Sequence, residues 1–308
     1  MKRRFIALLM LVMMLLTGGA GAESDSTGSP PEADAGQQNH VQIETGENEW
    51  LYRGNGLTVH IRRFQETVGK AKKKRTLEYC IADIHASAER PLGVIQSEEQ
   101  GRQVAGYRLV SPKKLIEKTP SVFAMSDDLY GIRLQKYKYD GVVIRNGEIL
   151  AQKTRDSGKR RPWPNLDTLA VYADGSMKAY VCDAFTAEEY LAQGAVHVFS
   201  FGPILISEGK INEAVLDPKY YPYNEPRAAI GMVEPYHYIA IVVRGRPEKQ
   251  YAGVHLDWLA KKMQEYGCVE ALNLDGGLTA TMAFMGEIII CGGSKLRSQG
   301  SMISFGTY

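Results

Sequence analysis

The sequence is poor in the residues by which metal and nucleotide chemistry usually declare themselves. Its 308 residues include four cysteines, six histidines and three tryptophans. Cys80, Cys182, Cys268 and Cys291 show no C-x-x-C spacing, and no histidine is placed to complete a zinc site with them. The glycine patterns of the P-loop and of dinucleotide-binding folds do not occur, which removes those nucleotide-binding classes. No repeat of fixed period occurs, and no apolar run reaches the roughly 20 residues of a membrane span. An excess of either charge is missing as well, with 37 basic against 35 acidic residues. The basic set includes Lys2, Arg3 and Arg4, and no acidic residue precedes Glu23, so without the first 22 residues the balance is 34 to 35. Such neutrality gives no global argument for nucleic acid or an anionic surface as partner.

What is present begins with an export signal. Lys2, Arg3 and Arg4 form a basic start, Phe5 to Leu16 is apolar, and Ala20-Gly21-Ala22 supplies small residues for cleavage. Residues 1–22 are therefore expected to be a signal peptide. The address is secreted or extracytoplasmic, with no stable membrane span after cleavage. Residues 23–48, rich in Gly, Ser, Pro, Glu and Gln, lack the apolar surface to order themselves and are expected to be a tether. Residues 49–308 are long enough for one domain with a sizeable core. In an exported chain the four cysteines permit two disulfides in three connectivities, and buried reduced thiols are equally ordinary.

Periodicity sets the expected architecture. Leu57–Arg63 and Leu77–Ile84 alternate apolar and polar residues about a basic turn, Lys70 to Arg75. Asn146-Gly147 joins two further strands, and Thr168–Tyr172 with Met177–Val181 makes another hairpin. Thr186 to Glu189 is a capping box, and Leu256, Leu259, Ala260 and Met263 mark an amphipathic helix stopped at Gly267. Many strands with a few short helices predict an α+β fold: a single domain with a mixed, mostly antiparallel sheet.

The segment Asn273-Leu274-Asp275-Gly276-Gly277 ends an apolar strand in an amide, a carboxylate and two glycines, followed by Thr279 and Thr281. Glycines let a backbone approach a ligand closely, and a carboxylate among amides and hydroxyls suits a sugar or phosphate. A type I′ hairpin on Asp-Gly explains the same residues without any ligand. Three companions favour the first reading: Phe123 to Gly131, Phe199-Ser200-Phe201-Gly202-Pro203, and Pro226-Arg227-Ala228-Ala229-Ile230-Gly231. In this order the four motifs resemble those of the phosphodiester glycosidase family, from about Leu77 to Ser304. Three turns depart from the family pattern. Leu278 and Thr279 replace its third Gly and its Ser, Ser126-Asp127-Asp128 replaces Asn-Gly-Asp, and Arg244-Gly245-Arg246 replaces Asp-Gly-Arg.

The resemblance implies a hydrolase that cleaves the sugar C1–O bond of a sugar-1-phosphodiester and releases sugar and a phosphomonoester. Asp275 and Asp128 would be the catalytic carboxylates. Arg227 would hold the phosphate, because a guanidinium fork matches two phosphate oxygens. Asn273, Gly276, Gly277, Thr279, Thr281 and Arg297 would complete the substrate site, the glycine amides acting as an anion nest. No cofactor and no metal ligand set are expected, although a structural calcium on loop carboxylates stays open. His237, His255 and Glu234 read as ordinary polar residues. The expected partner is a sugar phosphate or anionic envelope glycan. The departures from the pattern motivate one alternative, a non-catalytic binder of anionic envelope glycans on the same fold.

Overall fold

The computed structural model describes residues 41–70, 73–97, 103–104, 107–128, 141–154, 164–245 and 250–308. The leader, most of the tether, residues 129–131 of the first companion motif and Arg246 lie outside the described residues. Asn39–Tyr308 packs as one unit.

The chain opens with β1 (Gln42–Thr45), β2 (Glu49–Gly54), β3 (Leu57–Val68), β4 (Arg75–His85) and β5 (Gly93–Gln96). The pair β6 (Gln103–Val104) and β7 (Tyr107–Arg108) precedes helix α1 (Pro112–Lys118) and β8 (Ser121–Ser126). Two hairpins follow, β9 (Gly141–Arg145) with β10 (Glu148–Lys153), and β11 (Asp167–Tyr172) with β12 (Met177–Tyr180). Helix α2 (Ala187–Ala192) leads to β13 (Ala195–Phe201), β14 (Ile204–Ser207), β15 (Lys210–Ile211) and α3 (Glu213–Leu216). Strands β16 (Arg227–Glu234) and β17 (His237–Val243) precede α4 (Leu256–Glu265) and β18 (Glu270–Leu274). The chain closes with β19 (Thr281–Phe284), β20 (Glu287–Cys291) and β21 (Ser301–Thr307).

Local chemistry explains the elements. Asn146 and Gly147 both take positive φ, 51° and 77°, which a two-residue turn between β9 and β10 demands. Thr186 accepts from the Glu189 amide while the Glu189 carboxylate accepts from the Thr186 amide, a closed capping box at the start of α2.

Three larger sheets result. The first has order β1-β2-β3-β4-β17-β16-β18-β14-β15, the second β10-β9-β13-β11-β12, and the third β20-β19-β8-β21-β5. Alternation divides the long sheet between two cores. Cys80, Ala82, Ile84, Tyr238, Ala240 and Val242 face the larger apolar cluster, packed with Phe123, Phe199 and Phe305. Tyr79, Ile81, Ile239, Ile241 and Val243 face the other way, against Leu256, Leu259, Ala260 and Met263 of α4.

Two expectations need correction. Among the described residues every ladder between named strands is antiparallel, and the parallel contact is an isolated bridge from Thr76 to Tyr251. The expected mostly antiparallel sheet and few short helices are present, and the fold is more β-rich than the α+β class implies. The helices among the described residues run from four to ten residues, and most of the core comes from strand faces. Strand β1, Gln42–Thr45, also falls within the span 23–48 expected to be a tether. Strand β1 pairs with β2 although all four of its residues are exposed, so ladder hydrogen bonds, not burial, place it there.

No disulfide joins any of the four cysteines among the described residues. Burial pushes the Cys80 and Cys268 thiols up to about 12, which leaves them protonated and unreactive at neutral pH. No helix among the described residues is long and apolar enough to cross a membrane.

Candidate active site

The Gly276-Gly277 segment is not a hairpin. β18 pairs with β16 and β14 in the long sheet, whereas β19 belongs to the sheet containing β8. The glycines carry the chain from one sheet to the other through a short 3-10 turn, Gly277–Thr279. Packing requires the first glycine and backbone conformation the second. A Cβ on Gly276 would meet the Pro226 carbonyl, and Gly277 sits at φ 61°.

Sheet register then assembles the site. Ala228 of β16 faces Leu274 of β18, so the next step outward sets Arg227 beside Asp275. Both line a cavity of about 180 Å³ with Phe201, Tyr221, Glu225, Pro226, Gly276, Gly277 and Arg297. The volume is small beside the roughly 300–1,000 Å³ of a drug-sized site and suits one small polar group. Arg227 donates to the Val254 and Tyr223 carbonyls, and its guanidinium lies 5.0 Å over the Tyr221 ring. These contacts fix a buried cation at the cavity wall. Arg297 approaches Asp275 at 3.9 Å and donates to the Thr279 hydroxyl at 3.2 Å.

Other expected site residues support this wall. The Gly277 amide donates to the Pro226 carbonyl at 3.0 Å, so it braces the turn and does not act as an anion donor. Thr281 is buried and donates to the Thr279 carbonyl, which also accepts from Gln299. Asn273 is fully buried and holds the Gly202-Pro203 turn through its side-chain amide, 2.9 Å from the Gly202 carbonyl.

Asp128 occupies a different environment. The Asp275 amide donates to the Asp127 carbonyl at 3.1 Å, so the two acidic turns touch through backbone. The Asp128 side chain, however, pairs with Arg145 at 2.6 Å and accepts from the Ser200 amide at 2.6 Å. Arg145 also donates to the Val198 carbonyl, contacts Asp127 at 3.4 Å and stacks over Phe199, 4.2 Å from its ring. Asp127 is further bound by the Ser301 hydroxyl. Asp128 is 2% exposed and is not part of the cavity wall. Next to this cluster, burial and the Arg145 charge push His197 down to about 3, so its ring stays neutral. The ring accepts from the Asn146 amide.

Sequence reasoning missed Glu225, Tyr221 and Arg145. Glu225 directly precedes the Pro-Arg motif, and an acidic residue there was the available signal. Arg145 ends an apolar strand at a turn, a position where a solvated side chain is the ordinary expectation.

Two further cavities adjoin the first. One of about 210 Å³ shares Tyr221 with it and includes Asp217, Tyr220, His255 and Asp257. The next, about 430 Å³, shares His255 and Asp257 and is lined by Lys73, Arg75 and Trp258.

The comparisons with known proteins bear on the fold and the family. The catalytic domain of zebrafish N-acetylglucosamine-1-phosphodiester alpha-N-acetylglucosaminidase, solved auto-inhibited by its pro-peptide, is similar in fold. Its TM-score is 0.59 at 18% identity, covering 82% of this chain and 84% of that one. A putative exported protein of Burkholderia pseudomallei K96243 matches with TM-score 0.50 and 9% identity over 91% of this chain and 98% of its own. In sequence, the SPbeta prophage-derived uncharacterized protein YomE of Bacillus subtilis (strain 168) is 25% identical over 189 residues, 58% of this chain. The match spans only 29% of that relative's length. The family profile described as phosphodiester glycosidase matches residues 121–303, more than half of the chain, and encloses Asp128, Arg227, Asp275 and Arg297. The chain belongs to the phosphodiester glycosidase family.

Proposed function

We propose that the protein is a secreted hydrolase that cleaves the sugar C1–O bond of a sugar-1-phosphodiester in an envelope polymer or exopolysaccharide. The observation that carries this reading is one small cavity holding Arg227, Arg297, Asp275 and Glu225. Two guanidinium groups match the charge and oxygen geometry of a phosphodiester. They also screen Asp275 from the phosphate it must approach. Export rests on the leader-like first 22 residues.

Bond cleavage follows from the leaving group. Water attacks the anomeric carbon, the C1–O bond breaks, and its electrons remain on the phosphate oxygen. A phosphomonoester, with a second pKa of about 6, departs with little protonation. One carboxylate is then sufficient to take the water proton and to stabilise positive charge at C1. Asp275 has that role. Glu225 takes the place expected for Asp128 as the second carboxylate, positioned for sugar hydroxyls or proton transfer. The adjoining cavities, with Tyr220 and Tyr221 in the nearer and Lys73, Arg75 and Trp258 in the farther, accommodate neighbouring units of an anionic glycan.

Hydrolysis of a sugar-1-phosphodiester in heavy-oxygen water tests the bond assignment. Label is expected in the sugar. Label in the phosphate would show attack at phosphorus and reject glycosidic cleavage. The second reading, a non-catalytic binder of anionic glycans, is favoured by one observation: Asp128 is locked outside the cavity by Arg145. It requires that wild type show no turnover and that Asp275→Asn keep its glycan affinity.

A further inference from the structure

The face of the long sheet that turns Tyr79, Ile81 and Ile239 toward α4 ends in polar residues. Two steps beyond Ile81 on β4 stands Asp83, and two further stands His85. On β17, His237 lies two residues before Ile239. The ladder pairs His237 with His85 and Ile239 with Asp83. A strand's two-residue period therefore puts all three polar side chains on one face. Asp83 Oδ1 is 2.8 Å from His237 Nε2 and 3.4 Å from His85 Nε2. The two imidazole rings stack with centroids 3.9 Å apart and planes 21° apart. The three candidate ligand atoms all lie within 4.8 Å of one another.

We propose that Asp83, His85 and His237 form a binding site for a divalent transition-metal ion of the zinc type. Two imidazole nitrogens and one carboxylate oxygen are donors that zinc accepts, whereas calcium and magnesium prefer oxygen alone. With zinc–nitrogen and zinc–oxygen bonds of about 2.0–2.1 Å, tetrahedral ligand atoms stand roughly 3.3 Å apart. The observed 2.8 and 3.4 Å bracket that separation. Two ligands stand on one strand and the third directly across the ladder, so sheet hydrogen bonds hold their backbones together, and the stacked imidazoles turn about their side-chain torsions to aim both nitrogens at the ion. At least one coordination position remains open to water.

The site is remote from the candidate active site. Val243, at the far end of β17, pairs with Arg227, and six strand steps separate Val243 from His237, about 20 Å at 3.4 Å per residue. The ion would clip β4 to β17 in the middle of the sheet and would not supply the hydrolytic water.

The test uses the untagged protein, stripped with a chelator and titrated with zinc chloride alone by calorimetry and by thermal melting. One equivalent is expected to bind, and saturating zinc is expected to raise Tm by ligand linkage. His237→Ala and Asp83→Asn should each weaken binding on the order of 100-fold, at or above what loss of an outer-shell partner costs. Both should also abolish the zinc-dependent rise in Tm. Circular dichroism of the metal-free variants separates a lost ligand from a lost fold, and His85→Gln serves where an alanine variant unfolds. No stoichiometric binding by the wild type, or binding that survives Asp83→Asn and His237→Ala, would overturn the proposal. Either result leaves the glycosidase reading untouched, since that reading needs no metal.

Discussion

Two acidic turns meet at the ends of β8 and β18, and their surroundings are opposite. At β8, Asp128 and Arg145 are in direct contact at 2.6 Å, with side chains 3% and 1% exposed. At β18, Asp275 and Arg297 stand 3.9 Å apart, and Arg297 is 41% exposed. A contact pair sealed from water is a clamp, because neither partner can be withdrawn without stranding a buried charge. A looser pair at a cavity wall leaves room for a phosphate to enter beside Arg297. The same residue types thus form a sealed clamp in one turn and, in the proposed function, the chemical wall of a cavity in the next, and burial separates the two.

The comparison is broken most forcefully at the clamp. Arg145→Met removes a buried cation that touches two buried carboxylates and is expected to cost about 3–5 kcal/mol of stability, read by urea unfolding. A change below about 1 kcal/mol would mean that the cluster is not a clamp. His197 sharpens the same region through pH. Its folded pKa of about 3 lies below the ordinary value of 6.5, so between these limits the unfolded chain binds a proton that the folded chain refuses. Stability therefore falls as pH drops through 6.5 toward 3, by on the order of a few kcal/mol relative to alkaline pH. His197→Gln should flatten this limb by one proton in pH-dependent unfolding. On the cavity side, Arg227→Lys keeps the charge and loses the fork. A fall in kcat/KM of roughly 10- to 100-fold is expected, with most of the structure retained. The exposed Arg297 should matter least. Arg297→Ala is expected to raise KM about tenfold, a loss that added salt reproduces in part in the wild type.

Short-range structure was legible because its causes are short-range. The Asn146-Gly147 turn, the Thr186 capping box and the α4 stripe each lie within a dozen residues and form where the pattern puts them. The four ordered motifs likewise gave the family, which the profile match over 121–303 establishes. What the sequence withheld was pairing between distant segments. Asp-Gly chemistry suggested a hairpin at Asp275, yet β19 pairs with β8, more than 150 residues earlier. Asp128 looked catalytic by position in its motif, and the Arg145 side chain that sequesters it comes from another sheet. Glu225, Asp275 and Arg297 share a cavity only after β16 and β18 are in register. The Asp83, His85 and His237 cluster shows only its Asp83-x-His85 half in the linear sequence, since His237 joins it across the sheet.

The most direct measurement is a paired one: turnover of a sugar-1-phosphodiester and thermal melting for Asp275→Asn and Asp128→Asn. Asp275→Asn is expected to keep the wild-type Tm and to lose on the order of 1,000-fold in kcat. Asp128→Asn is expected to melt well below the wild type while its folded fraction turns over at a comparable rate. An Asp275→Asn variant that keeps its rate, beside a well-folded Asp128→Asn variant that loses it, would place the chemistry in the buried cluster and contradict the division of roles proposed for the two turns.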